Sequence, residues 1–208
     1  MSNQRGEVQM EKKQTFITEA RREQIVMAAI EVLAEIGYVS ASLSKIAKQA
    51  KISTGLISYH FSGKEDLMNN SLMFLIEQEW SFIKEKVDLK QTSTDKLIAF
   101  IEASLAYQGK NRVNNIALIE IVFNARTSDH IPYYLLDDEG DDEDLLPRLL
   151  QEILQKGQVS KEFIDFNPQM MSTIIQGAIS ESMLTSTSKT NVEGYSVELT
   201  KAVMRMVT

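Results

Sequence analysis

Lys51-Ile52-Ser53-Thr54-Gly55-Leu56-Ile57-Ser58-Tyr59-His60-Phe61-Ser62-Gly63-Lys64 is the stretch on which the fold turns. It reads as a three-residue turn, Lys51 to Ser53, followed by a short helix over 54–60. Ahead of it a second short helix spans 43–50, with Ser42 as its N-cap candidate. Ile46 and Ala47 mark the inner face of that helix, and Leu56 and Ile57 the inner face of the next. Ile52 plugs the turn between them. The opposite face of 54–60, with the residue before it, offers Ser53, Thr54, Gly55, Ser58 and Tyr59. These are short, hydroxyl-bearing or aromatic groups without a carboxylate. Such a surface approaches base edges in a major groove without repelling phosphate.

Working outward, a first helix is expected over 19–36, because Ile25, Ala29, Val32, Leu33 and Ile36 recur at helical spacing before Gly37 stops it. After the short pair, Ser62-Gly63-Lys64-Glu65 reads as a capping box that opens a long helix over 63–87. Lys64 opposes the dipole of that helix unless an anion sits at its N-terminus, so a phosphate contact is expected there. Ser42, Tyr59 and His60 flank the short helix with further donors.

Later helices are expected from Ser93 or Thr94 to Gly109, over 111–126, over 144–156 with Gly157 as the stop, from Asn167-Pro168 to about 186, and over 192–206. The only prolines are Pro132, Pro147 and Pro168, and no alternating strand pattern occurs. The fold class is therefore all-α, with about nine helices. A polar, flexible arm over 1–18, in which Lys12 and Lys13 stand, precedes a helix-turn-helix domain over 19–66. A ligand-binding and dimerisation domain is expected over 67–208.

The charge of the 208-residue chain divides along the same line. Residues 1–64 hold nine Lys/Arg against six Asp/Glu, whereas 65–208 hold thirteen against twenty-three, for an overall −7. A basic front and an acidic rear suit an N-terminal surface that meets a polyanion. The chain has no cysteine, which excludes a disulfide framework, a thiolate metal site and a cysteine nucleophile. No apolar run is long enough to span a bilayer and no signal peptide is visible, so a cytoplasmic protein without membrane association is expected. Its two histidines, His60 and His130, form no metal motif, and no glycine-rich phosphate loop occurs. No catalytic residue, metal site or cofactor is assigned, and the chain is not read as an enzyme. The acidic run over 137–144 does not match a calcium-binding EF-hand loop and reads as a solvated loop.

Residues 21–68 resemble the DNA-binding domain of the TetR (tetracycline repressor) family of bacterial transcriptional regulators. The resemblance rests on Ala28-Ala29, Gly37-Tyr38, the run from Ser42 to Ala50, and above all Tyr59-His60-Phe61 followed by Lys64. Lys51 departs from the family's usual glycine, and Ser58 from a frequent tyrosine. The resemblance implies that Thr54, Gly55 and Ser58 face bases, while Ser42, Tyr59, His60 and Lys64 grip phosphates. Arg22, with Thr18 and Arg21, is expected to touch the DNA backbone.

The resemblance also implies that the rear domain binds a ligand and dimerises through its last two helices. The candidate lining is Trp80, Phe100, Tyr107, Phe123, Tyr133, Tyr134, Met171 and Gln176, which suits an apolar or aromatic small molecule. For dimerisation, Val192, Tyr195, Leu199, Ala202 and Met206 form one seam, and Met171, Ile174, Ile175, Ala178, Ile179 and Met183 form a wide apolar face. The expected function is that of a repressor, homodimeric on a palindromic double-stranded operator and released by an effector that tilts the long fourth helix. The competing reading is a helical protein-binding adaptor that never touches DNA.

Overall fold

The computed structural model describes residues 2–127, 129–135, 145–185 and 192–208, with side chains from Phe16 onward except at 183–185 and 192. Among these residues lie nine α-helices: α1 (Ser2–Ser40), α2 (Leu43–Ala50), α3 (Thr54–His60), α4 (Lys64–Asp88), α5 (Ser93–Lys110), α6 (Arg112–Asn124), α7 (Leu145–Val159), α8 (Pro168–Thr185) and α9 (Val192–Val207). One 3-10 turn (Tyr133–Leu135) and an isolated bridge between Arg126 and Pro132 complete the regular structure described. The acidic run over 137–144 lies outside the described residues.

The short pair is built as its caps dictate. Ser42 accepts a hydrogen bond from the Lys45 N–H at 3.4 Å, and Ser53 accepts one from the Leu56 N–H at 3.2 Å, which fixes both helix starts. Ile46, Ala47 and Ile57 are buried, and Ile52 half-buried, as the turn requires. Between the helices Lys51 adopts a left-handed conformation with φ 57°. A Cβ is strained there and glycine is not. Lys51→Gly is therefore expected to stabilise the protein by about 0.5–1 kcal/mol, read as a rise in the urea midpoint.

Several boundaries differ from expectation. The α1 backbone is helical from Ser2, ahead of 19, and no proline precedes Pro132 to interrupt it. Near the other end Gly37, at φ 76°, turns the chain before one last helical turn closes with Ala41 N–H on the Gly37 carbonyl. The capping acid of α4 is Asp66, whose carboxylate accepts from the Ser62 N–H at 2.8 Å; Glu65, expected in that role, stands one position too early. Thr92 caps α5 by accepting from the Asp95 N–H at 3.0 Å, so neither Ser93 nor Thr94 is the cap. Asn167 does cap α8, accepting from the Met170 N–H at 3.0 Å.

Gly157 does not stop α7. It lies inside the helix because a Cβ there would stand 2.1 Å from the Phe163 ring, so the missing side chain is the seat of that ring.

Two compact units arise, one from Met1–Leu75 with Ile116–Leu136, the other from Ile76–Asn115 with Asp137–Thr208. The first has a core of Ile25, Ala29, Ile30, Leu33, Ile46, Ile57, Phe61 and Leu67, joined by Ala117 and Ile121 of α6. The second centres on Ile83, Leu97, Phe100, Ile101, Leu150, Leu154, Ile175 and Val203. In that unit Glu162 accepts from the Ser93 and Thr94 N–H groups at 3.1 and 2.9 Å and holds the α5 N-terminus. Those bonds depress its carboxyl to about 2.

α9 contributes one face to the core of the second unit. Val203 and Val207 are buried, with Tyr195 and Leu199 packed beside them, whereas Ala202 and Met206 face outward. In α8, Met171, Ile175 and Ile179 are buried, Ala178 is half-buried and Ile174 is exposed. The side chains of Met183 and Val192 lie outside those described.

Candidate nucleic-acid interface

Ser42, Ser53, Thr54, Gly55, Ser58 and Tyr59 are all exposed, and all but Ser42 stand on α3 or its N-cap. Tyr59 is 80% exposed. The Ser58 hydroxyl donates to the Thr54 carbonyl at 3.3 Å, which folds it along the helix and keeps the face low. Space is open at Gly55, where an added Cβ would meet only the Ser53 hydroxyl at 3.9 Å. α3 carries no carboxylate. Exposed lysines on α2 and its C-cap, Lys45, Lys48 and Lys51, add positive charge that the sequence reading had not assigned to the interface. Three cations at a spacing of three residues beside the turn are the signal that would have found them.

The other three candidates are held differently. His60 is half-buried, its ring edge-on to Tyr59 at 5.0 Å. Its carbonyl accepts from Arg22, whose guanidinium also donates to Asn70 Oδ1 at 2.8 Å and lies 4.3 Å from the centre of the Phe61 ring. Arg22 thus ties α1 to the end of α3 and to α4. Lys64 is likewise engaged inside the unit, donating to the Tyr38 carbonyl at 2.6 Å and standing 4.4 Å over the Tyr38 ring. Burial draws its ammonium below the ordinary lysine value. The open cleft at the α4 N-terminus contains two carboxyls, Glu65 and Asp66, besides Lys64.

Tyr38 is the hub of that corner. Its N–H donates to Glu120 Oε2 at 2.8 Å, and the same oxygen stands 3.1 Å from where a Cβ on Gly37 would lie. A side chain at Gly37 would press on the acid that caps the turn. None of this shows in local sequence, because Glu120 is 82 residues from Tyr38.

This arrangement of two short helices on a longer one agrees with residues 25–70 matching the family model described as bacterial regulatory proteins, tetR family. Residues 25–70 are a TetR-family segment. Among TetR-family relatives, the transcriptional regulator BetI of Vibrio campbellii is 33% identical over 100 residues, 46% of this chain and 49% of that protein. The chain thus matches about half the length of that relative. The fatty acid metabolism regulator protein of Bacillus subtilis is 28% identical over 170 residues, 78% of this chain and 81% of that one. The crystal structure of the transcriptional regulator FadR from Bacillus subtilis in complex with stearoyl-CoA shares the fold, with a TM-score of 0.73 at 24% identity. It covers 88% of this chain and 97% of that one. These relatives are transcriptional regulators, not enzymes.

The candidate ligand-lining residues fall into both units. Trp80, Phe100, Tyr107, Met171 and Gln176 stand in the second, where Phe100, Tyr107 and Met171 are buried and Trp80 half-buried. Gln176 donates to Ser172 Oγ at 2.8 Å. Phe123, Tyr133 and Tyr134 belong to the first unit. Phe123 and Tyr134 are exposed and lie 5.7 Å apart, and the Tyr133 hydroxyl donates to Asn69. Among the described residues no group of acids or histidines is placed to hold a metal ion, and no helix is long and apolar enough to cross a membrane.

Proposed function

We propose that the protein is a homodimeric repressor that reads a palindromic operator with α3 and leaves it when a small apolar or aromatic effector enters the second unit. The observation that carries this reading is the face of α3, where Thr54, Gly55, Ser58 and Tyr59 are exposed with no acid among them. Thr54, Gly55 and Ser58 meet bases. Ser42, Ser53, Tyr59 and His60 contact phosphates, and Lys64 joins them once its ammonium leaves the Tyr38 carbonyl. Arg22 acts by holding the carbonyl of His60 in place.

Dimerisation is supported by exposed apolar side chains on the last two helices, with Met170 60% and Ile174 47% exposed one turn apart on α8 and Met206 40% exposed on α9. Pairing those faces about a two-fold axis presents two α3 helices roughly 34–36 Å apart, one DNA turn. The apolar core of the second unit, and the stearoyl-CoA held by the Bacillus subtilis FadR, support an effector with an apolar body.

The test is selection of duplexes from a random pool by the ligand-free protein, followed by affinity measurement on the winner across salt concentrations. A palindrome and a steep negative slope of log affinity against log salt are expected. Tyr59→Ala is expected to weaken binding about tenfold, the equivalent of about 1.4 kcal/mol. Binding indifferent to salt, or recovery of no palindrome, would sink the reading and favour a protein-binding adaptor.

A further inference from the structure

Glu79 stands on α4 in the second unit, half-buried, and has neither a hydrogen-bond nor an ion-pair partner among the described residues. That is an unusual position for a carboxyl, because removing it from water without a partner is costly. Burial lifts it to about 7. Polar groups of the neighbouring α5–α6 stretch are partnered. Tyr107 Oη accepts from Asn114 Nδ2 at 3.4 Å, the Asn115 amide donates to the Gln108 carbonyl at 2.7 Å, and the Ser182 hydroxyl lies 2.9 Å from Gln108 Oε1. The charge of Glu79 is felt by Tyr107, whose hydroxyl it helps to raise. Tyr107 in turn lies 5.6 Å from the Phe82 ring, inclined at 50°. One face of Phe82 already carries an ammonium, Lys86 Nζ at 5.6 Å, though that lysine pairs with Glu85.

An unmatched carboxyl beside two aromatic rings has the chemistry that recognises an organic cation: opposite charge for the nitrogen and ring faces for its methyl or methylene groups. The charge balance points the same way, since thirteen Lys/Arg against twenty-three Asp/Glu over 65–208 attract cations and repel anions. We propose that Glu79, with Tyr107 and Phe82 beside it, anchors a positively charged nitrogen of the effector, an amine or quaternary ammonium carried on an apolar body. The inference rests on the second unit being the effector-binding unit, and it adds the effector's charge and the residue that reads it.

Three probes with one hydrocarbon tail test it: decyltrimethylammonium, decanoate and decanol, titrated calorimetrically below their micelle-forming concentrations into the full-length protein and into Glu79→Gln. The ammonium is expected to bind the native protein at least about tenfold more tightly than decanol, and decanoate least of all. Glu79→Gln is expected to lose about tenfold or more of the ammonium affinity and to keep decanol within about twofold, while Glu79→Asp keeps part of the ammonium preference. Equal ammonium affinity in Glu79→Gln overturns the proposal, as does binding of none of the probes. A preference for decanol or decanoate overturns it too, and marks Glu79 as a neutral acid that donates to an oxygen. Affinity of the ligand-free native protein for its selected duplex is measured alongside. If that is absent the repressor reading fails, whatever the calorimeter shows.

Discussion

Arg22→Ala is expected to cost the protein about 2–4 kcal/mol of stability, read as a drop in the urea midpoint at unchanged m-value. Its guanidinium makes two charge-assisted hydrogen bonds, to the His60 carbonyl and to Asn70 Oδ1, and lies over the Phe61 ring at 4.3 Å. Bonds of that kind contribute about 1.5–3 kcal/mol each before allowance for non-additivity, and the ring contact about 0.5–1 kcal/mol. Against a total stability of roughly 5–15 kcal/mol for an ordinary domain, that loss is large. Arg22→Lys is expected to recover little, because an ammonium lacks the planar fork that spans two acceptors. Operator affinity falls in both variants, since the last turn of α3 loses its tether, but the salt slope is unchanged. A variant that keeps native stability yet lowers the salt slope by about one would instead make Arg22 a phosphate contact.

The contrast between Arg22 and Ser42 shows what local sequence carries. α2 starts where Ser42 announces it and α3 starts where the turn Lys51 to Ser53 ends, because a cap or turn and its helix are neighbours in sequence. The exposed face of α3 follows from helical periodicity. What bonds to what across long separations does not. Arg22 reaches 38 residues to His60, and Lys64 reaches back 26 to Tyr38, and neither pairing alters any local pattern. Gly157 read as a stop because glycine often ends helices, whereas its cause is the Phe163 ring packed against it. Of the aromatic residues read as ligand lining, Phe123, Tyr133 and Tyr134 stand in the first unit and Trp80, Phe100 and Tyr107 in the second. Glu79 carries no signal in local sequence, since a lone glutamate on a helix is ordinarily solvated.

Replacement of that glutamate gives the second large effect, and its sign follows from the two titrations. The folded carboxyl titrates at about 7, against 4.5 when unperturbed. Between those values the folded chain holds a proton that the unfolded chain has released. Stability therefore falls as pH rises through this window and levels off above it. At about 1.4 kcal/mol per pH unit the full span would exceed 3 kcal/mol; the partial exposure of the side chain reduces this to about 1–3 kcal/mol. Glu79→Gln removes the titration, so the variant is expected to match the native protein near pH 4.5 and to exceed it by that amount at pH 8. Urea midpoints of both proteins at several pH values provide the measurement, and parallel curves would refute the assignment. The titratable group facing Glu79 among the described residues is Tyr107, which stays neutral across this range because burial raises it. The difference between the two curves therefore belongs to Glu79 alone. The destabilisation at pH 8 is also what an organic cation relieves when it binds. Decyltrimethylammonium should accordingly raise the unfolding midpoint of the native protein more at pH 8 than at pH 5, and by the same small amount at both in Glu79→Gln.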